Sequence, residues 1–231
     1  MSKEGLFVVF EGIDGSGKTT QAQMFASYLD SRSVSRTFLT AEPTDELVGR
    51  LIRKILHGEI SHPLGRETMA CLFFADRSLH LAEIEPILKC GRNVVCDRYA
   101  YSTLAYQVLS FSQDDVEDRA NADFHEWLWA TTRYFRHPDY TFILDVDADE
   151  GLSRVGCRGT SPEIYDWADL LLSARTRYLS IAARIVHEPE VYGKVFVVDS
   201  SRDKNEVFSN IIELFKADQA KQLQTFAEGK N

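Results

Sequence analysis

One run of residues, Gly12-Ile13-Asp14-Gly15-Ser16-Gly17-Lys18-Thr19, constrains this chain more than any other feature. The pattern G-x-x-x-x-G-K-[ST] has meaning only between a strand and a helix. Both flanks are readable. Leu6–Phe10 (LFVVF) is a short apolar run of strand length, and the segment from Gly17 to Leu29 puts Ala22, Phe25, Ala26 and Leu29 on one helical face. The glycines let the backbone wrap with its N–H groups inward. The helix N-terminus adds its dipole, so the turn favours a polyphosphate. Lys18 would reach the β- and γ-phosphates, and the Thr19 hydroxyl would sit on Mg²⁺. Gly12, Ile13, Asp14, Gly15, Ser16, Gly17, Lys18, Thr19 and Thr20 are the candidate triphosphate site.

Apolar, β-branched runs alternate with helical patterns along the rest of the chain. Strands are predicted at Thr37–Thr40, Asn93–Cys96, Thr141–Val146 and Val195–Val198. Helices are predicted at Leu47–Leu56, Arg66–Leu88 and Ala122–Phe135, then from Asp147, from Ser161-Pro162 to about Ile185, and from Asp203 through Phe215. Asp147 with Glu150 three residues on has the spacing of a capping box. Unbroken apolar strands between helices predict a parallel sheet covered on both faces. The expectation is an α/β, three-layer, five-stranded domain spanning residues 1–216, followed by a polar, frayed tail over 217–231. In such sheets ligands bind beyond the carboxyl ends of the strands.

Composition sets the outer limits. Lys+Arg 26 against Asp+Glu 35 gives a net charge of −9. That is a poor balance for general nucleic-acid binding, which needs a basic face. No apolar run approaches the ~20 residues needed to span a bilayer. Cys71, Cys90, Cys96 and Cys157 form no CxxC pair, which suits reduced thiols and a cytoplasmic location.

The residues after the third strand carry the next signal. Asp97 closes an apolar strand and is placed to meet a metal ion. Arg98 follows it, with a planar fork suited to a phosphate. Phe73 and Arg77 lie four apart on the long helix and so share a face. Together they could stack on and read a base; each could equally be an ordinary core or solvated residue.

Several segments together resemble thymidylate kinases. They are Phe10 to Gln21, Glu42-Pro43-Thr44, Leu72-Phe73-Phe74-Ala75-Asp76-Arg77, Asp97-Arg98-Tyr99, Ser102-Thr103-Leu104-Ala105-Tyr106-Gln107 and Phe142-Ile143-Leu144-Asp145-Val146. The Asp-Arg-Tyr block with Ala-Tyr-Gln is the most specific of them. The resemblance implies a P-loop NTPase fold with a mobile lid, Mg²⁺ as cofactor, and phosphorylation of dTMP by ATP on the way to dTTP. It implies that Phe73 stacks on thymine and Arg77 bonds its exocyclic oxygen. Thr103 would lie near the base edge, and Tyr106 would pack under the deoxyribose. Asp14 would contact the 3′-hydroxyl and help hold Arg98, which would bind the acceptor phosphate beside Glu42 and Pro43. Gln107 belongs to the same acceptor site, Thr19 and Asp97 to the metal. A homodimer is also implied, with neither nucleic acid nor membrane as partner.

Members of the family place a catalytic Arg either in the P-loop or in the lid. Here the P-loop position is Gly15, so charge neutralisation falls to the lid, about 154–166, with Arg154 and Arg158 as candidates. Arg175 and Arg177 are possible substitutes. Glu42-Pro43-Thr44-Asp45 also departs from the Glu-Pro-Gly-Gly of many members. Two other readings stay open: a broader pyrimidine or deoxynucleoside monophosphate kinase, and a nucleotide-binding regulator with little catalysis.

Overall fold

The structure is a computed structural model that describes residues 4–60, 64–107, 119–156 and 168–228. Five strands, β1 (Phe7–Gly12), β2 (Phe38–Ala41), β3 (Val94–Asp97), β4 (Tyr140–Asp145) and β5 (Lys194–Asp199), form one sheet in the order β2-β3-β1-β4-β5. Every pairing is parallel. The helices are α1 (Lys18–Asp30), α2 (Leu47–Leu56), α3 (Arg66–Lys89), α4 (Ala100–Tyr106), α5 (Arg119–Thr132), α6 (Ala148–Gly156), α7 (Ala168–Ile185), α8 (Pro189–Tyr192) and α9 (Lys204–Glu228).

The central strand β1 is buried along its whole length. Its alternate residues therefore feed two cores, as the period of a strand requires. Val8 and Phe10 face α1 and α9, where Phe10, Phe25, Phe142 and Phe215 form an aromatic cluster with ring centroids 5.2–5.7 Å apart. Phe7 and Val9 face the other side with Ile84 and Leu88 of α3 and Tyr99. Continuous apolar sequence in β1 is thus the signature of two-sided burial. The expected layers and all five strands are present, with ends shifted by one or two residues.

Some expectations are corrected. Helices α4 and α8 are additional to the sequence reading. The capping box at Asp147 is only half made. Its carboxylate accepts from the Asp149 amide at 3.1 Å, but the Glu150 carboxylate turns to Arg154 at 2.5 Å. The start of α7 at Ser161-Pro162 and the lid residues after 156, Arg158 and Cys157 among them, lie outside the described residues.

The last helix does not end near Phe215 but continues to Glu228. Asp218 holds it down: Tyr140 Oη donates to its carboxylate at 2.9 Å and Lys194 Nζ at 2.5 Å, while Gln222 donates to both Asp218 and Tyr140. Replacing Asp218 with Ala leaves a half-buried ammonium unpaired and the Tyr140 phenol without its acceptor. The expected loss is about 1–3 kcal/mol in urea unfolding. Amide exchange should accelerate in residues 216–228 and not in β1; uniform acceleration would contradict this anchoring role.

Candidate active site

All five strands end on one side of the sheet, and the candidate residues follow those ends. Backbone hydrogen bonds fix the mutual position of the two central loops. Phe10 is in register with Asp97, the Arg98 amide donates to Phe10 O at 2.9 Å, and the Glu42 amide donates to Asp97 O at 3.0 Å. P-loop, Asp-Arg-Tyr turn and Glu-Pro loop are therefore neighbours by construction.

The P-loop leaves β1 through Gly12, Gly15 and Gly17, all with positive φ. Gly15 is confined further by α6. A Cβ built on it would lie 2.1 Å from the carbonyl oxygen of Gly151. No side chain fits there, which is why an Arg inside this P-loop is sterically closed to the chain. Ile13 is buried in the apolar core, and Ser16 is buried with its hydroxyl unpartnered. Thr19 is exposed and Thr20 half-buried.

Lys18 is buried, and its ammonium donates to Ile13 O at 2.7 Å with Asp14 at 3.9 Å. Burial and the nearby Arg98 charge bring its pKa down to about 8. Burial alone would raise the Asp14 carboxyl, but the charges of Arg98 and Lys18 overcome it and hold the pKa at about 2. The Thr19 hydroxyl donates to Asp97 Oδ2 at 2.5 Å, while Asp97 Oδ1 is buried without a partner. An orphaned carboxylate oxygen beside a hydroxyl is a fitting donor set for Mg²⁺, which takes one or two protein oxygens and completes its shell with phosphates and water.

Arg98 adopts φ +68°, the left-handed region, alone among the described non-glycine residues. That conformation costs about 1–3 kcal/mol unless its surroundings enforce it. They do. Arg98 Nη2 donates to Asp14 at 2.5 Å, and Nη1 reaches Gly12 O and Ser102 Oγ at 3.2 Å and Tyr178 Oη at 3.4 Å. Behind it the buried Glu11 carboxylate accepts from the Tyr99 and Ser102 amides, the Ser102 hydroxyl and the Tyr178 phenol at 2.6–3.1 Å.

A pocket opens beside the P-loop between α3, α4 and the Glu42 loop. Asp14, Glu42, Pro43, Phe73, Arg77, Arg98, Tyr106 and Gln107 all line it, with Leu56, Tyr99 and Ser102. Thr103 is fully buried behind them and accepts from Arg77 Nη2 at 3.1 Å. Tyr106 donates to Asp14 at 3.2 Å and lies under the Arg98 guanidinium, 5.2 Å from ring centroid to Cζ. Phe73 is half-buried at the pocket wall, whereas its neighbour Phe74 stacks in the core on Phe135. Arg77 is fully buried. Its Nε and Nη2 donate to Glu42 Oε2 at 3.0 and 2.7 Å, and Nη2 also donates to Tyr99 O at 2.9 Å.

Other site residues carried no signal of their own. Glu11, Asp76, His80 and Tyr178 are single polar residues whose partners lie far away in sequence. The Asp76 carboxylate accepts from both the amide and the hydroxyl of Thr44, at 2.8 and 2.6 Å. Those bonds give Thr44 a structural role at the departure from Glu-Pro-Gly-Gly. The side chain fastens the Glu42-Pro43 loop to α3.

The lid arginines are less centrally placed. Arg154 donates to the carbonyls of Gly15, Ser200 and Ser201 at 3.0–3.4 Å besides Glu150. It ties α6 to the P-loop and to the turn after β5. Arg175 is bound by Asp145 and Asp147, and Arg177 is half-buried. Arg158 lies outside the described residues.

Comparison with known proteins agrees across nearly the whole chain. A family model described as thymidylate kinase matches residues 10–211. The probable thymidylate kinase of Methanocaldococcus jannaschii is 36% identical over 213 residues, covering 92% of this chain and 97% of that protein. The probable thymidylate kinase of Pyrococcus horikoshii is 35% identical over 216 residues, covering 92% and 96%. Among solved structures, a thymidylate kinase from Candida albicans superposes with a TM-score of 0.77 over 95% of this chain and 94% of its own, at 24% identity, which speaks to the fold. The P-loop, the Asp-Arg-Tyr turn and the pocket between them thus sit within a sequence match of family extent, and the chain belongs to the thymidylate kinase family.

Proposed function

We propose that this kinase transfers the γ-phosphoryl group of ATP to the phosphate of dTMP, giving ADP and dTDP. The observation that carries the reading is the pocket in which Phe73, Arg77, Tyr106 and Arg98 converge beside Asp14 and the P-loop. Its shape suits a flat base against Phe73, a deoxyribose at Tyr106 and a phosphate at Arg98.

The chemistry needs little more than alignment and charge. A dTMP phosphate oxygen attacks the γ-phosphorus, the bond to the β,γ-bridging oxygen breaks, and ADP leaves with the electron pair. The acceptor oxygen is already anionic near neutral pH, so no base is required. Lys18 and the P-loop amides bind the donor phosphates. Arg98 aims the acceptor, and the four side-chain hydrogen bonds to Asp14, Gly12, Ser102 and Tyr178 keep it aimed. Asp14 fixes Arg98 and lies where it can accept from the sugar 3′-hydroxyl. Thr19 and Asp97 would hold Mg²⁺, which supplies charge neutralisation on the donor phosphates. A lid arginine, Arg158 or a released Arg154, completes the positive surround.

The same reading includes a homodimer, supported by Leu47 and Leu51 of α2 and Leu79 of α3, apolar residues left exposed on neighbouring helices. It includes a cytoplasmic location, which suits the free thiols of Cys71, Cys90 and Cys96. Residues 1–216 are read as one kinase domain, with a lid at about 154–166.

Two outcomes follow. With ATP and Mg²⁺, coupled ADP release should be strong on dTMP, weaker on dUMP and low on UMP, CMP, dCMP, AMP and GMP. Arg98→Ala should cost about 10³-fold in kcat/KM. A preference for UMP or CMP would move the assignment to another monophosphate kinase. The second outcome concerns acid. Asp14 has a folded pKa of about 2 against 3.8 for the free side chain, so its stabilising effect is complete above pH 3.8 and fades as pH falls through about 2. The stability gap between wild type and Asp14→Asn in urea should be constant from pH 7 to 5 and narrow below pH 4. A gap that widens on acidification would reverse the assigned sign.

A further inference from the structure

We infer that His80 is a positioning residue for base selection, holding Glu42 so that Arg77 offers one unpaired edge to the base. The inference rests on the functional reading above and deepens it.

The chain of contacts runs through the protein interior. Thr40 Oγ1 lies 2.8 Å from His80 Nε2, His80 Nδ1 lies 3.1 Å from Glu42 Oε1, and Glu42 Oε2 takes both Nε and Nη2 of Arg77. A carboxylate oxygen only accepts, so His80 Nδ1 carries the proton. In the neutral tautomer with the proton on Nδ1, Nε2 is the acceptor for the Thr40 hydroxyl. His80 and Arg77 are buried to 2% and 0% exposure, and Glu42 to 5%. His80 lies three residues after Arg77 on the same helix, so α3 presents both to the one carboxylate.

The consequence is geometric. Glu42 is held from two sides, one oxygen by His80 and the other by Arg77. Tyr99 O and Thr103 Oγ1 take the rest of Nη2. Three of the five guanidinium N–H donors, the one on Nε and the two on Nη2, are thereby engaged, while Nη1 is buried with no protein partner. Arg77 lines the acceptor pocket with Phe73 and Gln107. An unpaired buried donor favours a ligand that brings an acceptor and penalises one that brings another donor. Thymine and uracil carry a carbonyl oxygen at ring position 4; cytosine carries an amino group there. Without His80, Glu42 can rotate and Arg77 can follow it, so the donor edge is no longer aimed.

The test is steady-state kinetics on dTMP, dUMP and dCMP for the wild type and three variants. His80→Phe fills the space without a donor. His80→Asn places an amide nitrogen where Nδ1 stands, and His80→Gln places polar atoms near Nε2 instead. We expect His80→Phe and His80→Gln to lose about tenfold in kcat/KM on dTMP and on dUMP, mostly in KM, with little loss on dCMP. Selectivity for dTMP over dCMP then falls about tenfold, while dTMP over dUMP is unmoved. His80→Asn should keep the selectivity. Equal losses on all three acceptors, or no change in the Phe and Gln variants, would overturn the inference and leave the function standing. If the Phe variant does not fold, the contrast between Asn and Gln decides alone. Absence of dTMP turnover in the wild type would overturn the functional reading and this inference with it.

Discussion

The structure turns on a buried carboxylate. Glu11 is the penultimate residue of the strand that both cores share, and it accepts four hydrogen bonds from the segment that follows β3 and from α7. Burial pushes its carboxyl up, and the bonds from Ser102, Tyr99 and Tyr178, with the charge of Arg98, work against that. A charge in such a place is tolerated only when its lone pairs are filled. Glu11 therefore demands that Tyr99, Ser102 and Tyr178 stay where they are. Their position forces Arg98 into the left-handed region, beside the P-loop. The donor and acceptor halves of the site are joined through that one side chain, and α4, which carries Thr103, Tyr106 and Gln107, starts from its hydrogen bonds.

The acceptor pocket repeats the device on its other wall. Arg77 would be a costly residue to bury alone. Glu42 neutralises it, and Glu42 in turn is satisfied by His80. Asp76 fastens Thr44 so that the loop bearing Glu42 cannot swing away, and a close backbone approach seals that corner: a Cβ on Gly49 would meet Thr44 O at 2.0 Å. Polar networks of this kind add little net stability when complete. Their value is that partial versions are expensive, so the arrangement has few competitors.

These networks also explain what the sequence disclosed and what it concealed. Strand β1 and the P-loop were legible because their signals are local: an apolar run, then glycines and Lys-Thr at fixed spacing. The parallel, doubly covered sheet followed from unbroken apolar strands between helices; the order of its strands is visible only in the structure. Helix α4 escaped because six of its seven residues are buried, which leaves no polar face to mark a helical period. The extension of α9 escaped because its anchor, Asp218, finds Lys194 and Tyr140 in other elements, and a polar stretch without them reads as a tail. Glu11 looked like the end of a strand, and His80 like any histidine on a helix. Their partners lie 88 and 38 residues away, at Tyr99 and Glu42, and no pattern within a window joins them. Gly15 read as an omission of an arginine; the Gly151 carbonyl shows it to be a requirement.

Net charge is the remaining puzzle, since a chain of −9 binds two polyanions. Asp14 resolves it. It lies between Lys18 and Arg98, and its carboxyl stays ionised down to about pH 2. Without it two buried cations would face each other across the P-loop; the Lys18 pKa is already brought down, first by burial and then by the Arg98 charge. With it the three groups carry one net positive charge, and both cations are fixed in direction. Those cations have also lost most of their hydration, which is the step that weakens an exposed lysine against phosphate. A phosphate entering such a site meets charges that need not be dried or turned. Affinity for polyanions is therefore set by a few aimed and desolvated groups, and the acidic remainder of the surface, screened over roughly 10 Å at moderate salt, has little say in it.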